Sequence, residues 1–426
     1  MSTAPAEPRS DRSSAGASVA TPRVDVEPAN GLAFAGASLR FHARVVGGTG
    51  TSTLISWKAY GDGSIDESGL YRAPPSAGAA ASIVALLGGT VGGARVSVAS
   101  PPAAGAVRAL VACYADGSLD VRGDRRADPY GRLVVGDSIG GVALDARTST
   151  AVATSGERLI SIDLSTMIAK PSAPLNGARF GGVALLAGGE FAAATNENAE
   201  SAGAGVAVYR LRRDTAPLLV STAAAGETPE GIAVAAEGRT MYVAAVNGNL
   251  VTRFVLNRDG TTKKTGAART GTRPFGVAVD ARDGVLFVAD NDTPTLSGAQ
   301  SRPGLESFSL PAMRRIGAAI TTGSPNALPL GLAIDPDSRR LFVTNEGDDD
   351  VAAYALPSLR LVSTLRVGRT PWLPAVDVRR HQLFVPNARD DSFDVFDTRT
   401  LARVGAGVPT CAYPVGVAVE SARSAD

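Results

Sequence analysis

The chain has 426 residues, with 42 basic and 41 acidic side chains and a formal net charge of +1. That balance excludes a global field steering it to nucleic acid or an anionic membrane, and no apolar run approaches the ~20 residues of a membrane helix. Two cysteines and two histidines leave little room for disulfide networks or histidine-based metal sites.

Residues 1–22 are rich in Ser, Ala, Pro and Arg and carry no signal-peptide-like apolar core, so they read as a disordered tail. From 23 to 100 the texture changes. Short alternating stretches at Ser38–Ala43, Leu54–Ala59 and Ala81–Ala85, with turn clusters between them, predict a small β-sandwich. Trp57, then Gly61-Asp62-Gly63-Ser64-Ile65-Asp66 and Gly69-Leu70-Tyr71-Arg72-Ala73-Pro74, resembles the W…G…I…GLYxAP phrase of bacterial Ig-like domains. That resemblance implies a spacer module of exported proteins. No Cys pair spans this sandwich, so Trp57 is expected to be held by apolar packing alone. Pro101-Pro102-Ala103-Ala104-Gly105-Ala106 reads as a linker.

A repeat occupies 107–420. The phrase G-[VIL]-A-[VLI] begins at Gly141, Gly182, Gly231, Gly276, Gly331 and Gly416, with a degenerate copy at Leu373-Pro374-Ala375-Val376-Asp377, and successive copies lie 41 to 55 residues apart. Each is followed by a second apolar run such as Leu286–Ala289 or Leu341–Thr344. Several short strands per unit at this period predict propeller blades. The Ala of the phrase is expected to face the axis, where converging strands exclude bulk. The following Asp (Asp145, Asp280, Asp335, Asp377) suits a tight turn. The last copy stops after Val419, and its partner strands are expected upstream, at Ala109–Cys113 and Ser118–Val121. The ring would then close on its own ends, leaving no free edge. Residues 421–426 read as a second tail. A Pro-x-Gly approach precedes several copies: Pro229-Glu230-Gly231, Pro274-Phe275-Gly276 and Pro414-Val415-Gly416. The combination resembles the YVTN-type, lactonase-like seven-bladed propeller repeats of bacteria, including the periplasmic YncE-like proteins. The fold expected is therefore all-β: a seven-bladed propeller preceded by an Ig-like sandwich.

Chemistry is harder to read. Asn247, Asn291, Asn345 and Asn387, with Asn196, end the second strand of successive units. They form either a ring of amides around a funnel or repeated Asx turns. Glu230, Phe275, Trp372 and Tyr413 stand at or beside the Pro-x-Gly approaches and are the residues expected at a funnel mouth, unless they pack against the next blade. Glu346-Gly347-Asp348-Asp349-Asp350 lacks the spacing of a calcium loop and reads as a solvated turn. Arg339-Arg340 and Arg379-Arg380-His381 fall in turns and offer a small basic patch. No nucleophile or zinc motif occurs, and no cofactor or metal is called for. Cys113 and Cys411 should face the same end of the closing blade, either as a disulfide or as two small apolar residues.

Two functions remain open. One is a non-catalytic binding or scaffold protein that uses a propeller face for a protein, glycan or other polymer, with a small-molecule ligand as a further partner. The other, implied by the lactonase-like resemblance, is hydrolysis or isomerisation of a sugar or muconate-type lactone at the axial funnel. A monomer that binds no nucleic acid is expected. The resemblance points to the periplasm, cell surface or medium, although no signal peptide heads the sequence.

Overall fold

The computed structural model describes residues 23–46, 55–87, 90–103, 106–123, 129–198, 205–213, 215–292 and 304–419. The expected tails 1–22 and 421–426 lie outside these residues, as do 104 and 105 of the expected linker. The described chain is all-β, and none of its helices is long and apolar enough to cross a membrane. Its theme is a four-stranded antiparallel sheet in simple sequence order, the unit of β-propellers. Six such sheets occur among the described residues, spanning 141–171, 180–223, 229–269, 274–315, 329–366 and 375–409.

Position within a sheet decides composition. Second strands such as Arg340–Asn345 and Val285–Asp290 are buried almost throughout, because both faces are covered by neighbouring sheets. Such strands need continuous apolar sequence rather than alternation. In Arg340–Asn345, Leu341 and Val343 pack with Phe287 and Leu305 of the preceding sheet, while Phe342 packs with Leu383 and Val385 of the next. Truncating Phe342 to Ala would thus open one inter-sheet core, at about 3–5 kcal/mol. Fourth strands, such as Thr262–Arg269 and Arg360–Arg366, lie at the rim and are largely exposed, and they tolerate Lys, Arg and Thr.

The opening strands sit innermost, and their small residues have a more specific cause than crowding at an axis. Gly and Ala of the phrase share one face of the strand, and that face looks at the next sheet. Ala333 packs with Val376 and Leu383, Ala375 with Val111 and Val417, and a Cβ on Gly231 would overlap the carbonyl of Phe275. Adjacent inner strands therefore meet backbone to backbone. The expectation that Ala faces the axis is corrected to a contact between neighbouring blades.

A further eight-stranded sheet joins the two termini of the described chain. Pro414–Val419 pairs antiparallel with Ala109–Cys113, which pairs with Ser118–Arg122 and then Pro129–Val134. Beyond that, a single parallel bridge between Arg132 and Ala33 leads to Asn30–Phe34, which runs parallel to Thr90–Ala99. The N-terminal strands have their own core around Phe41, Tyr71, Ile83 and Val96, with Trp57 packed against it. Their strand Asn30–Phe34 is also hydrogen-bonded into the repeat sheet, so more than the 101–106 segment connects the two regions.

Candidate functional site

The Pro-x-Gly approach is a β-bulge. In the strands Pro229–Val234, Pro274–Asp280 and Pro329–Asp335, pairing with the second strand jumps between the proline and the residue three later. The residue before each proline is left-handed, with φ of 51° at Thr228, 59° at Arg273, 51° at Leu328, 58° at Thr370 and 54° at Tyr413. A bulge re-aims the side chains it carries. Here Glu230 and Phe275 are turned into a cavity of about 640 Å³ at the mouth end of the opening strands, within the range of small-molecule sites.

Four residues singled out by sequence, Glu230, Phe275, Trp372 and Tyr413, line this cavity together. Phe275 and Trp372 meet edge to face with ring centroids 6.1 Å apart, Trp372 and Tyr413 at 6.4 Å, and Tyr413 and Tyr114 at 6.1 Å. One wall is thus a chain of four rings. Tyr413 is held by a hydrogen bond from its backbone N–H to Asp391 Oδ1 (2.9 Å), and its carbonyl accepts from the Tyr114 N–H at 3.0 Å. Directly behind these tyrosines, Cys113 and Cys411 are joined as a disulfide, with their Cα atoms 5.7 Å apart.

The opposite wall is charged, and sequence reasoning missed most of it. Arg179 Nε lies 3.1 Å from Glu197 Oε2, and the Glu197 N–H donates to the Arg179 carbonyl at 2.9 Å. The carboxyls of Glu197 and Glu230 lie side by side. Gly181 leaves the space in which they meet, since a Cβ there would lie 2.6 Å from Glu230 Oε2 and 3.0 Å from Glu197 Oε1. Burial pushes the Glu230 carboxyl well above the usual carboxylate range. The neighbouring Glu197 charge adds to this, and Arg179 only partly offsets it. Burial also raises Glu197, against the pull of Arg179. Both carboxyls are therefore biased toward the protonated form.

The asparagines lie outside the cavity. Asn345 Nδ2 donates to Asp350 Oδ1 (2.8 Å) and the Thr322 carbonyl (3.2 Å), Asn387 Nδ2 to Asp394 Oδ2 (3.1 Å), and Asn247 Nδ2 to Thr228 Oγ1 (2.8 Å). Asn291 is buried at the end of its second strand. Asn196 Oδ1 accepts the Arg179 N–H at 2.8 Å and so sets the base of the charged wall. The signal in sequence was one residue further on: Glu197 follows Asn196, as Asp292 follows Asn291 and Glu346 follows Asn345.

The segment expected as a solvated acidic turn is partly internal. Asp350 is buried, and Asp348 accepts the Ser324 N–H (2.7 Å). The basic pairs are tied to the opposite, turn end of the opening strands. Arg339 pairs with Asp280 at 2.9 Å and with Asp283, and Arg380 pairs with Asp377 at 3.1 Å.

A divalent cation would require several converging donors. Among the described residues, the groups of three or more His, Cys, Asp or Glu side chains placed closely enough are Cys113, Asp116 and Cys411, and Asp335, Asp337 and His381. Neither group lies in the cavity, and the first has both sulfurs in the disulfide. The cavity itself offers two carboxylates, one paired with a guanidinium.

No curated protein matches the chain in sequence. Among solved structures, a protein from Bacteroides uniformis described as a candidate 6-phosphogluconolactonase is 16% identical, with a TM-score of 0.59 over 73% of this chain and 98% of its own. A protein from Lactobacillus plantarum gives 15% identity and a TM-score of 0.60 over 73% and 98%. A streptogramin B lyase gives 14% and 0.51 over 66% and 86%. Identities this low speak for the fold alone, and the fold they share is β-propeller-like. Residues 132–330 match the family model for the SMP-30/gluconolactonase/LRE-like region, a span that contains Arg179, Glu197, Glu230 and Phe275 but stops short of Trp372 and Tyr413.

Proposed function

We propose that this protein is a lactonase-like hydrolase whose active site is the cavity at the mouth of the opening strands. The observation that carries the reading is the pair of neighbouring carboxyls, Glu197 and Glu230, that meet over Gly181 in the cavity beside Arg179. Hydrolysis of a cyclic ester needs a base to take a proton from the attacking water and an acid to protonate the departing ring oxygen. A carboxyl pair holding one proton supplies both. The ionised member accepts the water proton as the water oxygen bonds to the carbonyl carbon. The protonated member gives its proton to the ring oxygen as the acyl C–O bond breaks, and the pair ends with its proton on the other carboxyl. Arg179 is placed to stabilise the negative oxygen of the tetrahedral intermediate. The match to the gluconolactonase-type region and the likeness to a candidate 6-phosphogluconolactonase favour this reading over a purely non-catalytic scaffold, for which no comparison speaks.

The frame belongs to the same proposal: a seven-bladed ring whose last blade combines Pro414–Val419 with the strands from Ala109 to Val134, preceded by an Ig-like module over 23–100. It is supported by the pairing of Ala109 with Val419 and Val111 with Val417, and by apolar clusters that join these strands to the sixth sheet on one side and to the first on the other. An extracytoplasmic setting suits the Cys113–Cys411 bond, since such bonds persist in oxidising compartments.

The test is a pH-stat assay of the whole chain on a panel of γ- and δ-lactones, with and without added divalent cations. Wild type should hydrolyse at least one lactone, and Glu230→Gln should lower kcat by about 10²–10⁴-fold while melting cooperatively. A folded wild type inert toward the whole panel would end the hydrolase reading.

A further inference from the structure

We infer that the cavity is shaped for a lactone carrying a flat apolar ring or chain, and not for a polyhydroxylated sugar lactone. The chemistry of this inference rests on the hydrolase reading, whereas its specificity rests on the cavity walls alone. Tyr114, Tyr413, Trp372 and Phe275 form one row of rings, successive members meeting tilted or edge to face with centroids 6.1, 6.4 and 6.1 Å apart. The floor is made of the valines, isoleucine and leucine of the opening strands and their backbone. Among the described lining residues there is no Ser, Thr, Asn, Gln, His, Asp or Lys. The charged groups are Arg179, Glu197 and Glu230, of which Arg179 and Glu197 are already paired. The Glu230 carbonyl is likewise taken, by Thr195 Oγ1 at 2.8 Å.

A sugar lactone brings several hydroxyls into such a space. Each one buried without a partner lowers affinity roughly tenfold or more. The polar atoms left on the aromatic wall are the Tyr114 and Tyr413 hydroxyls and the unpartnered Trp372 Nε1–H, too few for a hydroxyl on every ring carbon. An aryl or alkyl lactone presents one polar centre, the ester, and that centre is what the charged wall can meet. The remainder of such a molecule is apolar and gains from each ring it covers. The arrangement is thus selective by what it lacks as well as by what it offers.

The probes are dihydrocoumarin, a bicyclic aryl lactone, and δ-gluconolactone, assayed side by side on the full chain. The expected result is a kcat/KM for dihydrocoumarin about 100-fold or more above that for δ-gluconolactone. Trp372→Ala should raise KM for dihydrocoumarin far more than for the sugar lactone, and Phe275→Ser provides a second variant should Trp372→Ala fail to fold. Equal or greater kcat/KM on δ-gluconolactone would overturn the inference while leaving the hydrolase reading intact. If neither lactone is hydrolysed, calorimetric binding of two inert analogues decides: 2-tetralone for the aryl lactone and 1,5-anhydroglucitol for the sugar. Binding of 2-tetralone that is lost in Trp372→Ala supports the apolar site even as the hydrolase reading fails. Preference for the glucitol, or binding of neither, overturns it.

Discussion

At the mouth end of the opening strands, Glu197 and Glu230 are pressed together in a largely apolar cavity, and burial holds both carboxyls above their ordinary range. At the turn end of the same strands, Asp145, Asp280, Asp335 and Asp377 are also buried, yet each is matched by donors. Asp145 takes the Arg147 backbone N–H and guanidinium at 2.9–3.1 Å. Asp335 takes the N–H groups of Asp337 (2.9 Å) and Ser338 (3.3 Å) and the Thr398 hydroxyl from the next sheet. Burial pulls the Asp335 carboxyl up, but hydrogen bonds from Thr398, Ser338 and Asp337 outweigh it, and the group is held below its ordinary value. Burial alone therefore does not mark a functional acid. What separates the two ends is whether the fold spends its donors on the carboxylate, and a carboxyl left short of donors inside a cavity is the one whose proton is held to higher pH.

The largest expected effect concerns how the mouth end is held. Replacing Cys113 and Cys411 with serine should lower unfolding free energy by about 2–4 kcal/mol, because the bond spans 298 positions. Because Tyr114 and Tyr413 flank the two sulfurs, the loss should extend to the mouth and raise KM several-fold at temperatures where the ring is still folded. Two reactive thiols in denatured, unreduced protein would remove the bond and with it this asymmetry between the ends.

A smaller effect probes the carboxyl pair itself. Gly181→Ala introduces a methyl 2.6 Å from Glu230 Oε2, so one carboxylate must move. Activity should fall about 30-fold, since a misplacement near 1 Å can cost about 100-fold, with little change in melting. As a control, Gly317→Ala adds a methyl with nothing within 4 Å, at a φ of +66°, and should cost stability without touching activity. Similar activity losses in both variants would mean that the mouth responds to general strain and not to the geometry of the pair.

The repeat was legible because every unit solves the same packing problem. A second strand covered on both faces must be apolar throughout, and an opening strand touching its neighbour's backbone must carry Gly and Ala. Glu230, Phe275, Trp372 and Tyr413 stood out because they interrupt that regularity at its bulge. Arg179 and Glu197 did not, because they belong to the second sheet, which has no Pro-x-Gly phrase, and because the recurring Asn drew attention one residue too early. Even there the Asn196 amide was relevant, but as the acceptor that seats Arg179. The parallel run of Asn30–Phe34 beside Thr90–Ala99 was invisible for a different reason. Pairing between distant segments leaves no periodic trace in either one.

The finest test of the difference between the two ends reads the sign of a slope. Glu230 has a folded pKa above its unfolded value. Between those two values the native state binds more protons than the unfolded chain, so stability falls as pH rises through the window. Glu230→Gln removes that cost. The variant should melt above wild type near pH 8, and the gain should vanish by about pH 4, where the unfolded carboxyl is itself protonated. Asp335 has a folded pKa below its unfolded value, so its contribution is present above the ordinary carboxylate range and is lost as pH falls through the folded value. Asp335→Asn should therefore melt below wild type at neutral pH, with a deficit that shrinks in acid. Melting curves of both variants from pH 3 to 8 would show differences from wild type that move in opposite directions with pH. Parallel curves would mean that the fold treats the acids at its two ends alike, and that Glu230 is one more structural carboxylate.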